Sequence, residues 1–195
     1  MVSMFYKDEN AIVLDFLSKG RAAGKLEPLA QVIGINYFGL LEVVIKQNVA
    51  VKTGDKVYIG EGERKEVERI KRRISSNELT TMAKSELPFL VEKIVKENEA
   101  KFIEFYSKSQ PLSTRLHSLE LLPGIGKKHM WDIIAERKKG PFTSFDDLKS
   151  RVKLLPDPVG MVVKRILTEI ENDDERYRLF AIGPPRREEE YGRRY

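Results

Sequence analysis

The residues best placed to do chemistry are Gly124-Ile125-Gly126-Lys127-Lys128-His129. Pro123 stops the preceding helix, because its ring excludes the helical conformation from the residue before it. Gly124 and Gly126 permit a turn too tight for side chains, and Ile125 pins that turn into the core. A second helix starts at once, so its first amides have no intrahelical acceptor and point outward beside the turn. A helix N-terminus of this kind attracts anions. Lys127 and Lys128 fall in the first turn, where the helix dipole disfavours cations, and a phosphate held there accounts for that cost.

The elements that must position this turn follow from periodicity. Residues 1–74 read as a β-rich unit: Ala11 to Leu17, Ala30 to Ile35, Leu40 to Ile45 and Lys56 to Gly60 are strand candidates punctuated by Gly and turn residues. Residues 64–74 fit either a helix or a strand, and the alternation Ile70-Lys71-Arg72-Arg73-Ile74 after a hairpin-like turn favours a strand. Five short strands suggest a small barrel. Residues 75–110 form connecting helices. Ser75 with Glu78 predicts a capping box, and Pro88, tolerated in a first turn, predicts a new helix from near Ser85. Phe102, Phe105 and Tyr106 continue the apolar side of these helices. Residues 111–183 form an all-α unit, and 184–195 a flexible tail. The expected fold class is therefore α+β.

The segment around the glycines closely resembles the helix-hairpin-helix motif of nucleic-acid-binding proteins. Leu119 and Leu122, Gly124-Ile125-Gly126, and Ile133-Ile134 carry the match, with Met130 where the family usually has Ala. The resemblance implies that the amides of Gly126, Lys128 and His129 hold a phosphate. It also implies a K+ or Na+ site on the carbonyls of Glu120, Leu122 and Ile125. A shift of 33 residues lays Val152 on Leu119, Leu155 on Leu122, Pro156 on Pro123, Val163 on Met130, Ile166 on Ile133 and Leu167 on Ile134. In this second, degenerate hairpin Asp157 and Val159 replace the glycines. Asp157 repels phosphate and Val159 does not readily supply a left-handed backbone, so the copy is read as structural. Between the copies, Gly140-Pro141 ends a helix, Ser144 with Asp147 caps the next, and Phe142 and Phe145 close the core.

Charge agrees with this placement. The 195 residues carry 35 Lys+Arg and 30 Asp+Glu, a net charge of +5, and residues 108–165 alone hold 12 basic against 6 acidic residues. Lys127, Lys128, Lys138, Lys139, Lys149, Arg151 and Lys153 form a candidate phosphate-tracking surface. Arg69, Lys71, Arg72 and Arg73 form a second basic run in the barrel. Trp131 is assigned to packing, with base stacking the alternative. There is no cysteine and there are two histidines, which excludes a disulfide scaffold, a thiol nucleophile and a Cys- or His-built metal cage. No apolar run approaches membrane-spanning length and no secretion signal opens the chain, so a cytoplasmic protein is expected.

The whole chain, roughly residues 10–180, resembles an uncharacterised archaeal family in which an OB-like barrel precedes a helix-hairpin-helix unit. Glu27-Pro28, Phe38-Gly39-Leu40-Leu41-Glu42-Val43-Val44, Val57-Tyr58-Ile59-Gly60, Glu78-Leu79-Thr80 and Arg115 to Gly126 carry that match. The resemblance implies nucleic-acid binding without an established activity. OB barrels stack single strands on aromatics, so Tyr37, Phe38 and Tyr58 are candidates, with core packing the stronger reading. The leading expectation is a non-catalytic protein that binds RNA or DNA, RNA weakly preferred, with protein partners unknown. A DNA-repair enzyme is the alternative: Asp146 and Asp147 follow the hairpin, but Asp147 reads as a helix cap and no Lys nucleophile stands in the expected place. A protein-interaction module in a ribonucleoprotein assembly is the third reading.

Overall fold

The computed structural model describes residues 7–20 and 27–183. The described residues form two compact units, one made of those up to Lys84 and from Ile170 onward, the other of Ser85–Glu169. The proposed tail at 184–195 lies outside the described residues.

The first unit is built on five strands: β1 (Asn10–Leu17), β2 (Leu29–Gly34), β3 (Leu40–Ile45), β4 (Lys56–Tyr58) and β5 (Val67–Arg73). Their order is β4-β1-β2-β3-β5, every pairing is antiparallel, and the sheet curls into a half-barrel. β4 and β5 stand at its edges, so among the described residues the sheet does not close. Period-two alternation explains its core. Ala11 and Val13, Ala30 and Val32, and Val43 and Ile45 send side chains to one face, where Val51, Val57, Ile59 and Val67 join them. The register shift between Val13 and Asp15 bends β1. Residues 64–74 do hold a strand, and its exposed charges suit an edge position.

A buried amide ties the sheet to the first helical turn. Gln31 donates to the Glu78 carbonyl at 3.0 Å and accepts from the Thr80 amide at 2.9 Å. The Ser75 amide donates to Glu78 Oε2 at 2.9 Å, as the capping pattern predicts, but the turn it opens is only the 3-10 segment Ser76–Glu78. The long helix α1 (Thr81–Glu97) starts afterwards, where the Thr80 hydroxyl accepts the Ala83 amide at 3.0 Å.

Pro88 lies inside α1, which corrects the expected start near Ser85. An interior proline costs about 3 kcal/mol. Against that, Leu87, Leu90, Val91, Ile94 and Val95 are all buried, each worth about 1.5–3 kcal/mol. Tertiary burial therefore outweighs the local penalty.

The second unit continues with α2 (Glu99–Lys108), a 3-10 turn at Ser118–Leu121, α3 (Lys127–Lys138), α4 (Phe145–Arg151) and α5 (Pro158–Glu171). Phe102 and Tyr106 are buried and Phe105 half-buried. The Tyr106 hydroxyl donates to the Pro158 carbonyl at 3.1 Å. The burial pattern repeats with the 33-residue shift. Leu119 and Val152, Leu122 and Leu155, Ile125 and Pro158, Met130 and Val163, and Ile133 and Ile166 are buried pair by pair. Between the repeats, Gly140 has a φ of +153° and the Ser144 hydroxyl accepts the Asp147 amide at 3.0 Å. Phe142 and Phe145 are buried there as expected.

Candidate nucleic-acid interface

The turn at 123–126 differs from the sequence expectation in an informative way. It is preceded by a single 3-10 turn, Ser118–Leu121, and not by an α-helix. Gly124 has a φ of +93°, a conformation that strains any other residue. Gly126 does not. Its φ of −91° and ψ of −179° are extended backbone, and a Cβ there meets nothing within 4 Å. The fold needs glycine at 124 and leaves position 126 open, which corrects the reading of both as steric necessities.

Gly126 is the N-cap of α3, and the first helical hydrogen bond runs from the Met130 amide to the Gly126 carbonyl at 3.0 Å. Among the described residues, no acceptor reaches the amides of Gly126, Lys127, Lys128 or His129. These are the orphan donors that every helix start leaves, and here no side chain caps them. Of the carbonyls assigned to a monovalent cation, that of Leu122 accepts the Ile125 amide at 3.1 Å. Glu120 lies in the 3-10 turn Ser118–Leu121 and Ile125 in the turn that follows it.

The lysines divide into tied and untied groups. Lys127 Nζ lies 2.7 Å from Glu120 Oε1 and donates to the Arg115 carbonyl at 3.3 Å. Lys139 pairs with Glu136 at 2.5 Å. Lys128 and Lys138 are exposed with no ion pair among the described residues, and so are Lys149 and Lys153. Arg151 is a structural residue, contrary to its place in the expected surface. Its guanidinium donates to the carbonyls of Glu136, Gly140 and Pro141 and pairs with Asp147 at 3.3 Å. It thereby closes the C-terminal end of α3.

Beside this turn stands His117, which sequence reading passed over. It is 6% exposed and caps the 3-10 turn, its Nδ1 accepting the Leu119 amide at 3.1 Å. Burial, with the Arg137 cation adding to it, holds its imidazole below the ordinary histidine value. The Glu120 carboxylate accepts the His117 amide at 2.9 Å and is held low chiefly by its bond from Lys127. The spacing His117-x-x-Glu120 is the capping-box spacing, so a signal for this arrangement was present.

The second copy is closed at the matching place. The Asp157 side chain accepts the amides of Val159 and Gly160 at 3.2 and 3.1 Å, so α5 caps its own N-terminus. Val159 lies within α5 and needs no left-handed backbone; the positive φ of this copy falls on Leu154.

The barrel candidates are mostly engaged. Phe38 is 1% exposed and belongs to the core. Tyr37 is half-buried, and its amide is held by Asp8. Tyr58 is half-buried and its ring covers Gly60. Arg69 and Lys71 each pair with Glu27 at 2.8 Å, Arg72 pairs with Glu42 and Glu78, and Arg73 donates to the Gly183 carbonyl. Three cations of the second basic run are thus held in ion pairs within the protein, and Arg73 is held by a carbonyl. Of the two carboxylates weighed for catalysis, Asp147, read as a helix cap, accepts the Thr143 amide at 3.0 Å. Asp146 is exposed in the first turn of α4. Among the described residues, no group of three His, Cys, Asp or Glu converges as a metal site, and no helix is long and apolar enough to cross a membrane.

With this geometry in view, comparison with known proteins places the chain in a family. It belongs to DUF655, described as a protein of unknown function, whose model matches residues 7–182. An uncharacterised protein of Methanocaldococcus jannaschii, MJ0038, is 43% identical over 177 residues, covering 90% of this chain and 81% of that one. The crystal structure of Af1531 from Archaeoglobus fulgidus, given as DUF655, is 47% identical with a TM-score of 0.82. It covers 90% of this chain and 100% of that one. The expected likeness to an uncharacterised archaeal family stands in that form.

Proposed function

We propose that the protein is a non-catalytic nucleic-acid-binding protein that holds backbone phosphate at the N-terminus of α3, in the manner of a helix-hairpin-helix. The observation that carries this reading is Gly126. Its backbone is open to any residue and a Cβ there would touch nothing, yet the position lacks the Ser, Thr, Asp or Asn that best caps a helix. A bare N-cap leaves the four free amides accessible to an oxyanion. Lys128, exposed in the first turn with no ion pair among the described residues, adds a cation beside them. The contrast with Asp157, which occupies the equivalent amides of α5 with its own carboxylate, supports one active and one structural hairpin. The half-barrel is read as OB-like on its five short antiparallel strands, and RNA is preferred over DNA on that fold-level analogy.

The test is the salt dependence of binding to RNA, single-stranded DNA and duplex DNA. About three to five neutralised phosphates give a slope of log affinity against log salt of roughly −3 to −4. A flat response rejects phosphate-led binding.

A further inference from the structure

The single tryptophan of the chain is not packed. Trp131 is 62% exposed, which overturns its assignment to the core. Tryptophan is ordinarily among the more buried side chains, and its company here is informative. The exposed residues of α3 are Lys127, Lys128, Trp131, Ala135 and Lys138, and no acid is among them. At about 100° per residue these five fall within an arc of roughly 100°, with Trp131 near its middle. Asp132 and Glu136 are half-buried, and Glu136 is tied by Lys139 and Arg151. The stripe runs about 16 Å along the helix, lysines at both ends and one large aromatic ring between them. Long side chains on a helix lean toward its N-terminus, so the indole leans over the Lys127–Lys128 turn. Ala135, one turn further on, is too small to cover the ring from the other side.

A row of lysines alone fits any phosphate backbone, paired or unpaired. An exposed indole set among them fits a partner that also offers an apolar, flat, uncharged surface beside its phosphates. Unpaired nucleotides offer it, because every base has a free π-face. In a duplex those faces are stacked inside, and only the backbone and the base edges in the grooves meet the protein.

We propose that Trp131 stacks on an unpaired base of a strand running along α3, so that this face selects single-stranded nucleic acid over duplex. This rests on the phosphate reading above and adds the form of nucleic acid that the site prefers.

Because Trp131 is the only tryptophan, intrinsic fluorescence of the full chain reports on it directly. The experiment titrates wild-type protein, Trp131→Ala, Trp131→Phe and Lys128→Ala with a short oligouridylate, the matching single-stranded DNA and a duplex of equal length. Fluorescence anisotropy of labelled strands gives the affinities, after circular dichroism shows each variant folded. The indole signal of the wild type is expected to be quenched by single strands and not by saturating duplex. Trp131→Ala should weaken single-strand binding about tenfold, within the range for one stacked base, and leave duplex binding unchanged. Trp131→Phe should restore most of the loss, because its ring keeps a face for a base. Equal losses for single strand and duplex overturn the stacking role. So does an unquenched indole at saturation. If Lys128→Ala weakens binding while Trp131→Ala does not, the stacking inference fails and the phosphate reading survives. If the wild type binds none of the three, both fail.

Discussion

Lys127 and Glu120 face each other across the turn at 123–126, with Nζ and Oε1 2.7 Å apart. The same carboxylate accepts the His117 amide, so one glutamate joins the start of the 3-10 turn to the start of α3. The first-turn lysine that looks most like a phosphate ligand is thus already spoken for, and its neighbour Lys128 has no ion pair among the described residues.

That difference separates two substitutions the sequence treats alike. Lys128→Ala should weaken binding several-fold and flatten the salt slope by about 0.7–0.9, the loss of one phosphate contact. Lys127→Ala should affect binding less and lower the melting temperature, because it releases Glu120. Salt-titrated affinities and thermal melts of both variants check this. Equal effects on both quantities would reject the division.

His117 makes stability depend on pH. Its imidazole is held below the ordinary value of about 6.5, first by burial and then by Arg137. The unfolded chain therefore binds the proton more readily than the folded one, so this contribution is fully present above about pH 6.5 and lost as pH falls through the window beneath it. Wild-type melting temperature should drop over that window. His117→Asn keeps an acceptor for the Leu119 amide and should lack that part of the decline. Parallel curves for the two proteins would contradict the assignment.

Gly124 and Gly126 should respond unequally to a side chain. Gly124→Ala forces alanine to a φ of +93° and should cost about 1 kcal/mol or more of stability. The same change at Gly126 meets open space and extended backbone, so it costs only the weaker capping of alanine, about 0.5 kcal/mol. Denaturant unfolding of both variants measures the difference.

The basic run on β5 should be nearly silent in binding. Glu27 accepts from both Lys71 and Arg69, and its carboxyl is held low chiefly by the bond from Lys71. Arg69→Gln with Lys71→Gln should leave the salt slope of binding unchanged. A slope flattened by more than about one contact would return this face to the interface.

How much of this was legible beforehand depended on whether the signal was local. The strands, the 33-residue repeat and the Ser144–Asp147 cap follow from periodicity and turn chemistry, which a short window contains. β5 was legible from its alternation. Pro88 misled because the burial that offsets it comes from tertiary neighbours. Arg151 misled because a guanidinium that closes a helix end and one that meets phosphate look the same in sequence. Gly126 was singled out for a steric reason it does not have, since φ is not visible in the residue type. Trp131 was assigned to packing over stacking, though its position one turn beyond Lys127 already placed it on the lysine face. The open edge between β4 and β5 left its mark only in the exposed charges of β5.

The most direct test of the account is the affinity of Gly126→Ser. Serine is a better N-cap than glycine, fits the extended backbone, and directs its hydroxyl to the amides of Lys128 and His129. It should therefore hold or slightly raise the melting temperature while competing for the donors assigned to phosphate. The account predicts a folded, equally stable protein whose affinity for RNA and DNA falls about tenfold, near 1.4 kcal/mol, across all sequences tested. A Gly126→Ser protein that binds as tightly as the wild type, with the same salt slope, would contradict the claim that the N-terminus of α3 holds the phosphate.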